Sequence, residues 1–158
     1  MLHVRSRVGI SQQVNYKCYD GDGTLKWEQD TLKNTLTELM DAMVADAISG
    51  GSDDLILYGH LGTGSGATSA STNLTTPCEE VRTADDSTTQ GAAGADNDVV
   101  YVFTFAAGVC TASIEEAGLF SAEAYATADM KAYDDTISKV KEAADSLVLT
   151  WTLTFGDS

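Results

Sequence analysis

The sequence predicts a mainly β fold, an antiparallel β-sandwich of jelly-roll-like type with one amphipathic helix near residues 36–48. Three observations carry this expectation. The run Leu147-Val148-Leu149-Thr150-Trp151-Thr152-Leu153-Thr154-Phe155 alternates apolar and β-branched residues with period two, so its odd-numbered members share one face of a strand. Val14 to Trp27 reads as two alternating runs around Asp20-Gly21-Asp22-Gly23, and Asp and Gly accept the positive φ values that a hairpin turn needs. Only one stretch, between 36 and 48, switches clearly to helical spacing.

The remaining elements follow in order. Leu36, Leu39, Met40, Met43, Val44, Ala47 and Ile48 form a single stripe, with Thr35 and Glu38 suited to a capping box and Gly50-Gly51 to the stop. That stripe has to pack on a sheet or between subunits. Leu55 to Leu61 is apolar on both faces, as in a strand covered on both sides. Gly62 to Asn73 is a loop of small polar residues, Leu74 to Val81 a short strand leading into Arg82, and Ala84 to Asp98 an exposed connection. Val99 to Phe105 and Ser113 to Phe120 are strands. Ser121 to Asp135 is ambiguous, and Ile137 to Asp145 is read as strand and turn feeding the last strand. The sum is seven to nine strands. Short strands and glycine-rich turns favour a sandwich over a parallel α/β sheet.

A chain of 158 residues fits one domain, divided here into an N-terminal arm, 1–12, and a sandwich, 13–158. Nine basic residues stand against 24 acidic ones, a net charge of −15. Nucleic acid and anionic membranes both require a basic footprint, and neither is an expected partner. No apolar run is long enough to span a bilayer. The N-terminus lacks the apolar core of a secretory signal and reads as the start of a protein assembled where it is made. Self-repulsion on this scale suggests screening by a salt-rich, halophilic milieu or by bound cations. Cys18, Cys78 and Cys110 show no metal-binding spacing and read as small buried hydrophobes in a reducing compartment.

The chemical constellations fail when tested. Asp20 and Asp22 resemble the opening of an EF-hand loop, but Leu25 replaces its glycine and Thr31 its bidentate glutamate, so a hairpin turn is the better reading. Asp20, Asp22, Asp85 and Asp86 remain the metal candidates, for weakly bound divalent ions at most, and no other cofactor is expected. Gly62-Thr63-Gly64-Ser65-Gly66 lacks both the helix start and the lysine of a phosphate loop, and glycines at 63 and 67 are missing for a nucleophile elbow at Ser65. His60 lies in an apolar strand and suits a buried or interface position better than a general base. Neighbouring acids on a strand point to opposite faces and make no catalytic pair. Of Glu115 and Glu116, one is expected to face inward, paired with Arg82. No catalytic residue is assigned.

Four pieces, in order, carry a resemblance. They are Val14 to Trp27 with Glu28 and Asn34; Gly62-Thr63-Gly64 followed by Leu74, Glu80 and Arg82; Ile114-Glu115-Glu116-Ala117-Gly118-Leu119-Phe120, close to an I-x-E-x-G-L-F signature; and Ala144-Asp145-Ser146-Leu147 running into Trp151-Thr152-Leu153-Thr154-Phe155. Together they resemble a family of virion structural proteins of tailed viruses, from bacteriophages and their archaeal relatives. Similar proteins carry a Met-x-Ala-Arg-like segment after the G-L-F strand, whereas Met130-Lys131-Ala132-Tyr133 has no arginine. The resemblance implies a non-enzymatic subunit in the virion, assembled in the host cytoplasm, on the head, at the neck or on a tail appendage.

The expected function is therefore a capsid decoration or head-vertex (turret or fibre base) subunit. Its partners are the major capsid protein or other virion proteins, and itself as a trimer, pentamer or hexamer. Arg5, Arg7 and Val8 of the arm are expected at an interface, and Arg82, Glu115, Glu116, Trp151 and Phe155 as structural residues. The alternatives are a neck, tail or baseplate adaptor, and a carbohydrate-binding sandwich using Tyr16, Tyr58, Tyr101, Trp27 and Trp151 as stacking surfaces.

Overall fold

A computed structural model describes residues 9–32, 35–51, 55–91 and 97–156. The strongest sequence signal becomes the middle of the molecule. Strand β12 (Ser146–Phe155) pairs antiparallel with β1 (Ile10–Tyr19) on one side and β7 (Asp98–Phe105) on the other. Strands β2 (Leu25–Thr31) and β6 (Ser87–Gln90) complete a five-stranded sheet of order β2-β1-β12-β7-β6. A second five-stranded sheet has the order β3 (Thr35–Leu36), β10 (Met130–Asp134), β9 (Glu116–Phe120), β4 (Tyr58–Gly62), β5 (Thr83–Ala84). Strands β8 (Ala112–Ile114) and β11 (Lys139–Lys141) form a separate pair, and α1 spans Glu38–Ser49. The protein is an antiparallel β-sandwich with one helix among the described residues. Its pairings β1·β12, β3·β10 and β4·β9 nest, like those of a ribbon doubled back on itself, the device on which jelly rolls are built.

The core lies between the sheets. Val14, Tyr16, Phe103, Leu149 and Trp151 from the first sheet meet Leu61, Ala117, Leu119 and Ala132 from the second. Gly59 marks the closest approach: a Cβ built there would lie 2.8 Å from the Phe103 ring. The second sheet is also covered on its outer face, where Ala67 and Leu74 of the 62–76 loop pack with Phe120, Met130 and Tyr133. This double coverage explains why every residue of β9 and β10 is buried. It also explains why β4 is apolar on both faces.

One buried carboxylate ties the layers together. Asp134 of β10 accepts hydrogen bonds from Tyr16 Oη (2.7 Å) and Thr31 Oγ1 (2.7 Å) of the opposite sheet. It also accepts from Thr136 N (2.9 Å) and Oγ1 (2.6 Å). Burial, and then the adjacent Asp134 charge, push the Tyr16 hydroxyl well above its ordinary range.

Several expectations are corrected. The helix begins two residues late, because Thr35 and Leu36 pair with Tyr133 and Ala132 as a strand and leave the capping to Thr37. Thr37 Oγ1 accepts from Met40 N and donates to carbonyl oxygens of β10, so one hydroxyl both caps the helix and docks it. Gly50, at φ 82°, stops it as expected. The stripe is only partly used: Met40 is buried, Met43 and Val44 are half-buried, and Ile48 is 83% exposed. Leu55 and Leu57 precede β4 and are exposed. The 74–81 segment makes only isolated bridges, Pro77 to Gly62 and Val81 to Ala124. The predicted 113–120 strand breaks at Glu115 into β8 and β9, which join different sheets. Cys78 and Cys110 form a disulfide across 32 residues, while Cys18 is free and buried. Closing a loop of that length stabilises a fold by roughly 3–4 kcal/mol.

Twelve strands are therefore formed among the described residues, against the seven to nine expected. Of the expected arm, residues 1–8 lie outside the described residues and Ile10–Gln12 belong to β1. No described helix is long and apolar enough to cross a membrane.

Because the sheets touch at Gly59, Gly59→Val is expected to lower stability by about 1–3 kcal/mol through overpacking against Phe103. Urea denaturation measures this, and an unchanged midpoint would show that the layers are not close-packed there.

Candidate interaction surface and its supports

The outward face of the first sheet follows from the same alternation that builds the core. On β12 the outward residues are Val148, Thr150, Thr152 and Thr154, and they stand opposite Thr104, Val102, Val100 and Asp98 of β7. Ser87 and Thr89 of β6 extend the face beyond Val102 and Val100. Thr150 and Thr152 of β12, Val102 and Val100 of β7, and Ser87 and Thr89 of β6 form an uncharged block across three strands. Charges border it: Lys17 of β1, opposite Val148, pairs with Glu28 of β2 at 3.4 Å, Asn15 Nδ2 donates to Glu28 and Asp30, Asp86 accepts from Thr104, and Asp98 stands opposite Thr154. In a chain of net charge −15, an uncharged surface across three adjacent strands is the feature that composition alone does not predict.

The predicted structural residues sit behind this scaffold. Arg82 is buried with its guanidinium 3.6 Å over the Phe120 ring, bonded to Asp129 (2.5 Å), Asn73 Oδ1 and the carbonyls of Ala122 and Thr127. Asp129 in turn accepts from the backbone of Ser121 and Ala122. The expected pairing of Arg82 with Glu115 or Glu116 is thus corrected to Asp129. Removing either partner of such a buried pair costs on the order of 3–5 kcal/mol.

Glu116 is the fully buried glutamate of the two, but it faces the 62–76 loop on the outer side of the second sheet and not the core between the sheets. It accepts backbone hydrogen bonds from Gly64 (3.2 Å), Thr75 (3.0 Å) and Thr76 (2.7 Å). A Cβ at Gly62 or Gly64 would lie 2.6 or 2.8 Å from its Oε1. The glycines of the Gly62-Thr63-Gly64 motif therefore admit a carboxylate of the protein itself. Glu115 is half-buried and accepts from Ser113 and Ser138. Trp151 is buried, its indole N–H donating to Gln12, and Phe155 is half-buried against the core.

Of the metal candidates, the carboxylates of Asp20, Asp85 and Asp86 accept hydrogen bonds from the protein itself. Asp20 Oδ1 accepts from Asp22 N and Thr24 N inside the hairpin turn, as the turn reading requires. Asp85 accepts from Thr88, and Asp86 from Thr104. No group of three or more His, Cys, Asp or Glu side chains capable of holding an ion occurs among the described residues.

A second polar cluster braces the end of the sandwich at Tyr19. Lys141 is fully buried and donates to the carbonyls of Ala106 (3.0 Å) and Val109 (2.8 Å), and burial pushes its pKa down. Asp145, held below the usual carboxylate range by its hydrogen bond from Lys26, accepts also from Glu142 N and the Cys18 thiol. Burial and Asp145 push the Cys18 thiol up to about 11, so it stays protonated and unreactive. This cluster was not anticipated, because a lysine in a short, alternating, exposed-looking segment gives no sequence sign of burial.

No protein-family model, no curated protein and no solved structure matches this chain.

His60 is buried with neither ring nitrogen hydrogen-bonded, packed edge-on to Phe120 and Tyr125. Burial first, then the Arg82 charge, lowers its pKa to about 4, against weaker opposition from Glu79. The unfolded chain takes up this proton near pH 6.5 and the folded chain only near pH 4. Stability is therefore expected to fall as pH drops through that window, by up to about 3 kcal/mol. Denaturation from pH 7 to 4 checks this against His60→Leu, which should lose about one proton's worth of the pH slope. Equal slopes would contradict the assignment.

Proposed function

We propose that the chain is a non-enzymatic virion subunit that decorates a capsid or forms part of a head vertex, bound to the shell as a symmetric oligomer. The observation that carries this reading is the uncharged Thr/Val face of β12, β7 and β6. Interface centres are depleted in charge, and a soluble chain this acidic has ample charge to cover every exposed face. Burying a standard interface of about 1,600 Å² per contact, repeated around a symmetry axis, gives strong avidity without any single tight contact. The acidic remainder keeps particles dispersed. The ordered motifs shared with tailed-virus virion proteins point the same way. The Cys78–Cys110 disulfide suits a protein that works outside a reducing cytoplasm, once the particle has left its host.

A neck, tail or baseplate adaptor would use the same face at lower copy number. The carbohydrate-binding alternative loses most of its stacking surface, since Tyr16, Tyr101 and Trp151 are core residues and only Trp27 and Tyr58 are partly exposed.

Quantifying the chain in intact particles tests the proposal. On the order of hundreds of copies identify decoration, about six or twelve identify a neck or tail position, and none overturns the virion reading. Thr152→Arg, which places a desolvated charge in the face, is expected to reduce particle binding at least tenfold while leaving the fold intact.

A further inference from the structure

We propose that the cleft at the Tyr19 end of the sandwich is a socket for the basic N-terminal segment, Arg5 to Val8, of a second copy of this chain. The inference rests on the self-association in the proposed function and supplies its geometry.

The cleft has a volume of about 540 Å³ and lies between the Glu79–Thr83 segment and the turn at Gly108 and Val109. Its walls are held independently of any occupant. The Cys78–Cys110 disulfide joins them, Glu79 accepts from Cys110 N at 2.7 Å, and Lys141 fastens the carbonyls of Ala106 and Val109. Exposed at its edge are the Glu80 carboxylate and the Val81 side chain, the latter 58% accessible. Val81, Gly108 and Val109 give the cleft its apolar surface, Arg82 in its lining is buried and paired with Asp129, and Glu80 at the lip leaves a carboxylate for a segment that alternates basic and apolar residues.

The chain contains such a segment. No acidic residue occurs before Asp20, whereas Arg5, Arg7 and Lys17 do; all 24 acids and six of the nine cations lie beyond Tyr19. The segment cannot fill the socket of its own chain. Gly9 lies at the Phe155 end of β1, where its carbonyl accepts from Gly156 N. The cleft lies at the other end, because Phe105 pairs with Leu147 beside Cys18 and Gly108 N donates to Ala143 O. Ten residues of strand separate the two ends by about 30 Å. Arg5 stands four residues before Gly9, a reach of about 14 Å. A segment leaving one end and a socket at the other describe a head-to-tail contact, which closes into a ring when the rotation per subunit allows.

Sedimentation of the full-length protein at fixed salt is the test. Arg5→Glu with Arg7→Glu, and separately Glu80→Arg, are each expected to weaken association about tenfold, and combining all three to restore it to within about twofold. Because a variant could fold poorly, Arg7→Cys and Val81→Cys chains are also mixed under mild oxidation. The proposal expects a covalent dimer from the mixture and none from either chain alone. Association that withstands the charge reversals, with no dimer trapped, overturns the socket and leaves the proposed function standing. A wild-type chain that stays monomeric at every concentration, with no dimer trapped, overturns the socket, and particle copy number then judges the proposed function alone.

Discussion

The structure depends on the placement of its last strand. β12 is flanked over ten residues by β1 and over eight by β7, so it satisfies its backbone on both edges. Its inward residues Leu147, Leu149, Trp151 and Leu153 are buried almost completely. A slip of one residue in either pairing would turn that row to solvent and bring Val148, Thr150 and Thr152 into the core. Register, core and outward face are therefore one decision. The face available to a partner is the other side of the core's alternation, so the core row and the outward row lie on one strand.

Around that strand, an acidic chain uses carboxylates as internal fasteners. Asp134, Glu116 and Asp129 are each buried and each accept several hydrogen bonds, from backbone amides, hydroxyls or a guanidinium. A buried carboxylate is costly unless its oxygens are satisfied, and here each one organises a segment that has little regular structure of its own. Glu116 gathers the 64–76 loop, Asp129 the 121–129 loop with Arg82, and Asp134 the connection between the two sheets. Excess acid on the surface serves solubility. Within the fold the same residue type gives order.

How much of this was legible follows from the physics of each signal. β12, β7, the first hairpin and the strand and turn before β12 were readable because period-two alternation and turn chemistry are local. The hairpin turn at Asp20 behaves as its Asp and Gly residues predict. β6 was not readable: Ser-Thr-Thr-Gln has no apolar member, and an exposed edge strand is held by its partner, not by its own burial. Thr35 lost its capping role because pairing with β10 outweighs a local cap. A glutamate facing the core was expected, but Glu116 is buried on the other face of its sheet by amides 40 to 52 residues away, and Arg82 found Asp129 instead. The disulfide depends on the two segments meeting in three dimensions, which spacing in the chain does not reveal. The Thr/Val face is legible afterwards as the polar half of alternating strands, but its lack of charge acquires meaning only once β6, β7 and β12 are known to be neighbours.

The central claim is that this face is covered in the working state. Its most direct test is the reactivity of a cysteine placed at Thr152, since Cys18 is buried and protonated and the other two cysteines are paired. In the free protein the new thiol should react readily with a maleimide. In assembled particles the account predicts that labelling is suppressed at least tenfold while a control cysteine at exposed Ile48 still reacts. Equal labelling of Thr152→Cys in the free and assembled states would contradict it.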